Sequence, residues 1–255
     1  VFLAIDIGNT NTVLGLWNDG KWVLDWRIST ERNKTPDEYG ILLAGLFENG
    51  EVKKEEIKDV LISSVVPPLN GVFEKALERY LKLQPRFVGP GIKTGLNIKT
   101  DNPREVGADR IVNAVAVFNL YGAPAVIVDF GTATTFCALA ENGEYLGGAI
   151  APGVGISAGA LFEKAAQLPR INIRKPEKVI GASTVTALES GIYYGFLGQI
   201  KEMVRLLKKS LPGSPKVIAT GGLAWLWEKD ADCFDIVNPR LTLEGLRFLG
   251  EMNKK

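Results

Sequence analysis

Asp129-Phe130-Gly131-Thr132-Ala133-Thr134-Thr135 is the stretch whose reading decides the fold. It follows the apolar run Ala125-Val126-Ile127-Val128, which has the pattern of a buried strand. A carboxylate, a glycine and several hydroxyls therefore arrive together at a strand end. Glycine lets backbone N–H groups approach an anion, and the hydroxyls add donors, so the chemistry suits a polyphosphate and its metal.

The same pattern is written at the start of the chain. Phe2-Leu3-Ala4-Ile5 runs into Asp6-Ile7-Gly8-Asn9-Thr10-Asn11-Thr12. Val13 to Trp17 reads as a second strand, Asn18-Asp19-Gly20 as a hairpin turn and Trp22 to Ile28 as a third strand. At a constant offset of 123 residues, Asp6 falls on Asp129, Gly8 on Gly131, Thr12 on Thr135, Gly20 on Gly143 and Trp22 on Tyr145. An ungapped register over strand, loop, strand, turn and strand indicates an internal duplication of a hairpin unit. The chain divides accordingly into residues 1–122 and 123–255, with Gly122-Ala123-Pro124 as the boundary.

Composition narrows the chemistry. The 255 residues contain no histidine, which removes His-based triads, His acid–base catalysis and His metal ligands. Carboxylates, hydroxyls, backbone amides, Lys and Arg remain, and hard cations with oxygen ligands stay possible. A formal net charge of +1 gives no electrostatic footprint for nucleic acid or an anionic membrane. Two cysteines, Cys137 and Cys233, make no disulfide framework and suit a reducing cytoplasm. No signal-peptide pattern and no membrane-spanning run is expected.

Between the two hairpin units, Thr35-Pro36-Asp37-Glu38 opens a helix through Phe47, and Asp59 to Val65 is a buried strand ending in hydroxyls. A helix is expected over Leu69 to Leu81, a short strand over Arg86 to Val88 and a Gly/Pro-rich loop over Gly89 to Asn102. Pro103 opens a helix that continues through Gly107-Ala108-Asp109-Arg110 to about Tyr121. After the second unit, Ala151 to Gly159 suits a close-packed loop and helix start. Leu161 to Ala166 is helical, and Ser183-Thr184 begins a helix through Leu207. Lys216 to Thr220 is a strand, Gly221-Gly222 a tight turn, Leu223 to Trp227 a short helix, and a last helix starts at Leu241. Gly221-Gly222 after a strand lets bare backbone and a helix N-terminus approach a nucleotide. The tryptophans, Trp22, Trp26, Trp225 and Trp227 among them, read as packing residues.

A single Asp-x-Gly loop is no more than a tight turn. Two of them followed by a late Thr-Gly-Gly resemble the two phosphate motifs and the adenosine motif of the acetate and sugar kinase/Hsp70/actin superfold. Asp6 to Thr12, Gly107 to Arg110, Asp129 to Thr134, Gly147 to Gly153 and Gly89 to Gly95 together resemble type III pantothenate kinase over nearly the whole chain.

That resemblance implies an α/β fold of two duplicated ribonuclease H-like domains with nucleotide in a central cleft. It implies transfer of the γ-phosphoryl of ATP to the primary alcohol of pantothenate, the first step of coenzyme A synthesis, with Mg²⁺ on the phosphates. Asp6, Ile7, Gly8, Asn9, Thr10, Asn11, Thr12 and Val13 would form the first nucleotide loop. Thr132 would belong to the second, joined by Gly221 and Gly222. Asp129 would help hold K⁺ or NH₄⁺. Asp109 would be the catalytic base, and Gly107, Ala108, Asp109, Arg110 and Thr184 would bind pantothenate. A homodimer with its site near the interface is expected, with neither nucleic acid nor membrane as partner. Thr100 stands where relatives often carry an aromatic residue. Arg110 could pair with Asp109 or meet the pantothenate carboxylate. Two other readings are another small-molecule kinase of the superfold and a non-catalytic, transcription-accessory relative. The residues support Asp109 partly on their own: it stands at a helix start after two small residues, in a chain with no histidine.

Overall fold

A computed structural model describes residues 1–165 and 168–254, so Ala166, the expected end of one helix, lies outside the described residues. Strands β1 (Phe2–Ile7), β2 (Asn11–Asn18), β3 (Lys21–Ser29), β4 (Asp59–Ser64) and β5 (Arg86–Phe87) form one sheet in the order β3-β2-β1-β4-β5. Strands β6 (Asn97–Ile98), β7 (Ala125–Phe130), β8 (Ala133–Ala140), β9 (Glu144–Pro152), β10 (Lys216–Gly221) and β11 (Ile236–Val237) form another, in the order β11-β10-β7-β8-β9-β6. From β9 to β11 the second sheet repeats the first. Its central strand pairs antiparallel with its hairpin partner and parallel with the strand after the crossover. Each unit thus has the expected ribonuclease H-like arrangement.

The helices are α1 (Pro36–Asn49), α2 (Pro67–Ala76), α3 (Ala108–Tyr121), α4 (Val154–Lys164), α5 (Thr184–Ser210), α6 (Ala224–Trp227) and α7 (Leu241–Met252). Local chemistry fixes their starts. Thr35 and Glu38 form a capping box at α1, with Pro36 just inside. Ser183 and Thr186 do the same at α5. The helix expected over Leu69 to Leu81 is α2 followed by a π-helical turn, Leu77–Leu81, which ends at Lys82 with φ +59°. The helix expected from Pro103 is instead a 3₁₀ turn, Pro103–Glu105, and then α3, because the chain is extended at Val106 before it re-enters the helix after Gly107.

The duplication is closer in three dimensions than in sequence, and it corrects the register. Strands β1 and β7 match at the expected offset. Ile7 pairs with Thr12, however, whereas Phe130 pairs with Thr134, so the second loop is one residue shorter. The next turn compensates: Asn18 pairs with Lys21 across Asp19-Gly20, while Ala140 pairs with Glu144 across three residues. The counterpart of Thr12 is therefore Thr134, not Thr135, and both are fully buried. A β-bulge recurs at equivalent places, Leu16/Trp17 and Ala138/Leu139. Each leaves one outward residue unpaired, Val23 and Leu146, both 42% exposed.

Packing divides the chain into two compact units that depart from the expected boundary. The first comprises Val1–Gly95, Asn102–Asn119 and the chain from Leu241 onward; the second comprises Leu96–Asp101 and Leu120–Arg240. The C-terminal helix, assigned by sequence to the second half, packs on the first. In the first unit, Leu3, Ile5 and Ile7 form one core with Tyr39, Leu43 and Phe73 of α1 and α2. The opposite face of β1 and β4 receives α7. Helices α7 and α3 approach closely enough that a Cβ on Gly245 would lie 2.0 Å from the Val112 carbonyl oxygen. In the second unit, Val126, Val128, Phe136, Tyr193, Ile200 and Trp227 form the corresponding core. The loop expected over Gly89 to Asn102 holds β6, which adds to the edge of β9.

Gly245→Ala should destabilise the protein by about 1–3 kcal/mol through overpacking. Gly71→Ala, at an exposed position of α2 with open space around it, should stabilise by about 0.5–1 kcal/mol. Urea denaturation of both variants checks the sign as well as the size.

Candidate active site

The carboxyl ends of the central strands carry the candidate site residues, as expected for an open sheet with parallel pairs. In the first unit, Asp6 lies near the end of β1, flanked by Val13 of β2 and Ser63 of β4. The loop after it closes through an N–H of Gly8 donated to the Asn11 carbonyl at 3.0 Å. The Ile7 side chain is in the core, so that residue offers the loop its backbone only. Thr12 is likewise unavailable: its hydroxyl lies 2.9 Å from the Thr30 hydroxyl, and the Thr30 N–H donates to the Thr10 carbonyl at 2.9 Å. Thr12 braces the loop, while Asn9 and Thr10 are exposed and Val13 half-buried.

Residue Val65 ties this loop to α3. Its N–H donates to the Ile7 carbonyl at 3.1 Å, and its Cγ1 lies 3.7 Å from where a Gly107 Cβ would sit. The Gly107 carbonyl accepts from the N–H groups of Arg110 and Ile111 and so starts the helix. A Cβ on Gly107 would stand 2.6 Å from Asp109 Oδ1, so glycine leaves the room that this carboxylate occupies. Asp109 Oδ1 accepts from the Arg110 N–H at 2.8 Å. Burial pushes the Asp109 carboxyl above the usual carboxylate range, and the Arg110 amide and charge pull it partly back. Ala108 and Arg110, in the same helix turn, are half-buried.

In the second unit, Asp129 lies between Thr135 of β8 and Thr220 of β10. The Gly131 N–H donates to the Ala133 carbonyl at 3.1 Å and closes the shorter loop. Two glycines press on this region. A Cβ on Gly221, where φ is +92°, would lie 2.6 Å from Asp129 Oδ1; one on Gly153 would lie 2.1 Å from the Thr132 carbonyl oxygen. Gly153 is the N-cap of α4 and supplies no side-chain cap. The first N–H groups of α4 therefore add positive potential next to the second loop.

Thr184 does not join that cluster. It is the first residue of α5 and lines an open pocket of about 780 Å³ with Leu161, Gly181, Leu188 and Ile192. Leu161 lies eight residues along α4 from Gly153, about 12 Å of helix. Thr100 is also in this unit, its hydroxyl oxygen buried with no hydrogen-bond partner among the described residues. Trp225 departs from the packing role expected of it: it is 63% exposed just after Gly222, whose carbonyl accepts from its indole N–H at 3.1 Å. The other tryptophans named pack as expected, Trp22 on Trp17, Trp26 on Phe47 and Trp227 in the core.

Among the described residues, no three His, Cys, Asp or Glu side chains gather into a metal-binding cluster. The donor set, single carboxylates at two strand ends, fits a cation that arrives with phosphate ligands and keeps part of its water, as Mg²⁺ does. No helix in the described chain is long and apolar enough to cross a membrane.

A family model for type III pantothenate kinase matches residues 2–206. The chain belongs to this family. Type III pantothenate kinases are ATP-using kinases, and the solved structures similar to this one agree on the fold. A Campylobacter jejuni protein named for the Baf family of transcriptional activators is 20% identical, covers 98% of both chains and has a TM-score of 0.63. Component A of (R)-2-hydroxyglutaryl-CoA dehydratase from Acidaminococcus fermentans is 15% identical over 99% of both chains, with a TM-score of 0.53. The inorganic polyphosphate/ATP-glucomannokinase of an Arthrobacter strain is 12% identical over 99% of both chains, at 0.51. At these identities they establish the actin-like ATPase superfold for this type III pantothenate kinase family member and nothing further. Sequence reading took Ser63 and Ser64 as the end of a strand that could touch ligand, and it missed Arg32 and Gly153 as neighbours of the loops. Gly153 lay in a recognised small-residue stretch, whereas Arg32 belongs to no motif.

Asp109→Asn should stabilise the fold at neutral pH. The raised carboxyl means that the folded protein binds this proton more tightly than the unfolded chain, so wild type loses stability as pH rises through the raised value. The variant's advantage in thermal midpoint should be largest near about pH 7 and shrink as pH falls toward about 4, the ordinary carboxylate range. A pH-independent difference would show a well-solvated carboxylate.

Proposed function

We propose that this protein transfers the γ-phosphoryl group of ATP to the primary alcohol of pantothenate, giving 4′-phosphopantothenate and ADP in the first step of coenzyme A synthesis. One observation carries the reading beyond the family: Gly107, which leaves room for the Asp109 carboxylate, shares Val65 as a neighbour with the first Asp-Gly loop, in a chain that has no histidine.

In this reading Asp109 faces the alcohol. Its raised affinity for a proton suits a base that orients the hydroxyl and accepts its proton while the alcohol oxygen bonds to the γ-phosphorus. The bond from that phosphorus to the bridging oxygen breaks, and ADP leaves. The transition state is loose, so orientation matters as much as basicity. Backbone of the Asp6 to Val13 loop and of the Thr132 loop binds phosphate, and Gly221-Gly222 opens room for the nucleoside. Mg²⁺, held by phosphate oxygens and a strand-end carboxylate, would neutralise charge on the departing ADP. K⁺ or NH₄⁺ would be held by Asp129, whose Oδ1 occupies the space left by Gly221. Gly107 and Ala108 give the acid room, and Arg110, whose charge acts on Asp109, would meet the pantothenate carboxylate.

Thr184 reaches substrate in this reading through a homodimer. Exposed Ile156, Leu161, Phe162, Val179, Val185 and Ile180, the last 87% exposed, support a self-association face around the Thr184 pocket. Cys137 and Cys233, which form no disulfide, suit the cytoplasm, and the near-neutral charge suits small-molecule rather than nucleic-acid partners. The name of the Campylobacter neighbour favours a second reading, a regulatory protein without turnover.

The deciding measurement is ADP release with and without pantothenate, in K⁺ and in Na⁺. Pantothenate-dependent release that K⁺ stimulates is expected; ATP consumption with other alcohols alone would favour a different kinase, and none at all the regulatory reading. Asp109→Asn should retain ATP binding and lose about 10²–10⁴-fold in turnover. In sedimentation, wild type should run at twice the 27.7 kDa chain mass, and Ile180→Glu as a monomer.

A further inference from the structure

The segment between β3 and α1 is built as a shelf beside the first Asp-Gly loop. Thr30 is bonded to both Thr10 and Thr12. The Glu31 N–H donates to the hydroxyl of buried Tyr39 at 2.9 Å, and that hydroxyl donates to the Glu31 carbonyl at 3.1 Å. The far end is fixed by the Thr35–Glu38 capping box. Arg32 stands on this shelf. Its Nη2 donates to Asn9 Oδ1 at 2.6 Å, both side chains are exposed, and Arg32 forms no ion pair with any described residue. A guanidinium has five N–H donors, and this bond uses one.

The second unit shows what belongs at this place. Thr30 and Gly153 are equivalent in the duplication, each following the third strand. In the second unit Gly153 opens α4 at once, with an uncapped N-terminus packed on the Thr132 loop. In the first unit the helix begins only at Pro36, which has no N–H, and a capping box covers its start, with Thr35 Oγ1 accepting from the Glu38 N–H and the Glu38 carboxylate from the Thr35 N–H. The first loop therefore lacks the helix N-terminus that its twin has, and a cation without a counter-ion sits beside it instead. A guanidinium supplies a full charge and a planar fork that matches phosphate oxygens.

We propose that Arg32 is a phosphate-contacting residue that binds the outer phosphates of the nucleotide over the first loop, with Asn9 fixing the orientation of its fork. This rests on the reading of that loop as a nucleotide loop. Binding of Mg-ATP and of AMP, without pantothenate, to wild type, Arg32→Ala and Arg32→Lys tests it by calorimetry at low and high salt. Arg32→Ala should weaken Mg-ATP about tenfold or more at low salt, leave AMP and the thermal midpoint unchanged, and lose most of the salt dependence of ATP binding; Arg32→Lys should fall between. ATP affinity within about twofold of wild type in Arg32→Ala would overturn the proposal, as would equal weakening of ATP and AMP, the mark of a mere brace for Asn9. If wild type itself binds no Mg-ATP, the nucleotide reading of the loop fails and Arg32 with it.

Discussion

Two strands, β1 and β7, each hydrogen-bonded on both sides and each carrying an aspartate one residue before its end, are the constraint on which the rest depends. A central strand has no free edge, so its continuation must leave the sheet plane at its carboxyl end. The hairpin partner fixes one side and the parallel crossover strand the other. Asp6 and Asp129 are then held by neighbours that cannot move, and the loops after them close through single backbone hydrogen bonds at Gly8 and Gly131. Carboxylate, bare backbone and strand ends are thereby gathered in each unit, with no dedicated metal cluster among the described residues.

Space at these sites is made by glycine in a specific way. Gly107 and Gly221 each vacate the volume that a carboxylate oxygen takes up, Asp109 in one unit and Asp129 in the other. A side chain at either glycine would compete with the acid for the same few ångströms. Within the Gly-Ala-Asp-Arg tetrad, the glycine is thus a steric condition on the rotamer of the aspartate, and it also starts α3. One residue sets the helix start and the surroundings of the Asp109 carboxyl, and burial there raises its proton affinity.

Much of this was legible in the chain. The apolar runs before Asp6 and Asp129 gave the central strands, Asp19-Gly20 its hairpin turn, and Thr35-Pro36-Asp37-Glu38 a capped helix. The repeat gave the duplicated architecture that the superfold neighbours share. The register was misread because two one-residue changes, one in each loop, cancel over the hairpin and leave both ends aligned. The place of α7 was not legible, since its apolar stripe fits either sheet; the Gly245–Val112 approach, which decides it, is a property of packing. Arg32 was invisible for a similar reason: its meaning comes from Tyr39 and Thr30, which belong to no phosphate motif.

The two loops show how a duplicated unit diverges while its physics is kept. Under the proposed nucleotide reading, both call for positive potential beside an Asp-Gly turn. In the second copy a short loop packs directly on Gly153, and the opening of α4 provides backbone dipoles fixed by the fold. In the first copy the loop is one residue longer and exposes Asn9 and Thr10, and the helix starts only at Pro36. The intervening residues are not slack, because Thr12, Thr30 and Tyr39 hold them with hydroxyls that are otherwise costly to bury. A buried threonine at the end of each hairpin loop, Thr12 in one copy and Thr134 in the other, marks the common origin. Only Thr12 has a hydroxyl partner at Thr30 to hold a shelf; the Thr134 hydroxyl has no hydrogen-bond partner among the described residues. The asymmetry of the two copies at these loops thus lies in one inserted residue, the segment from Glu31 to Thr35, and the hydrogen bonds that hold it.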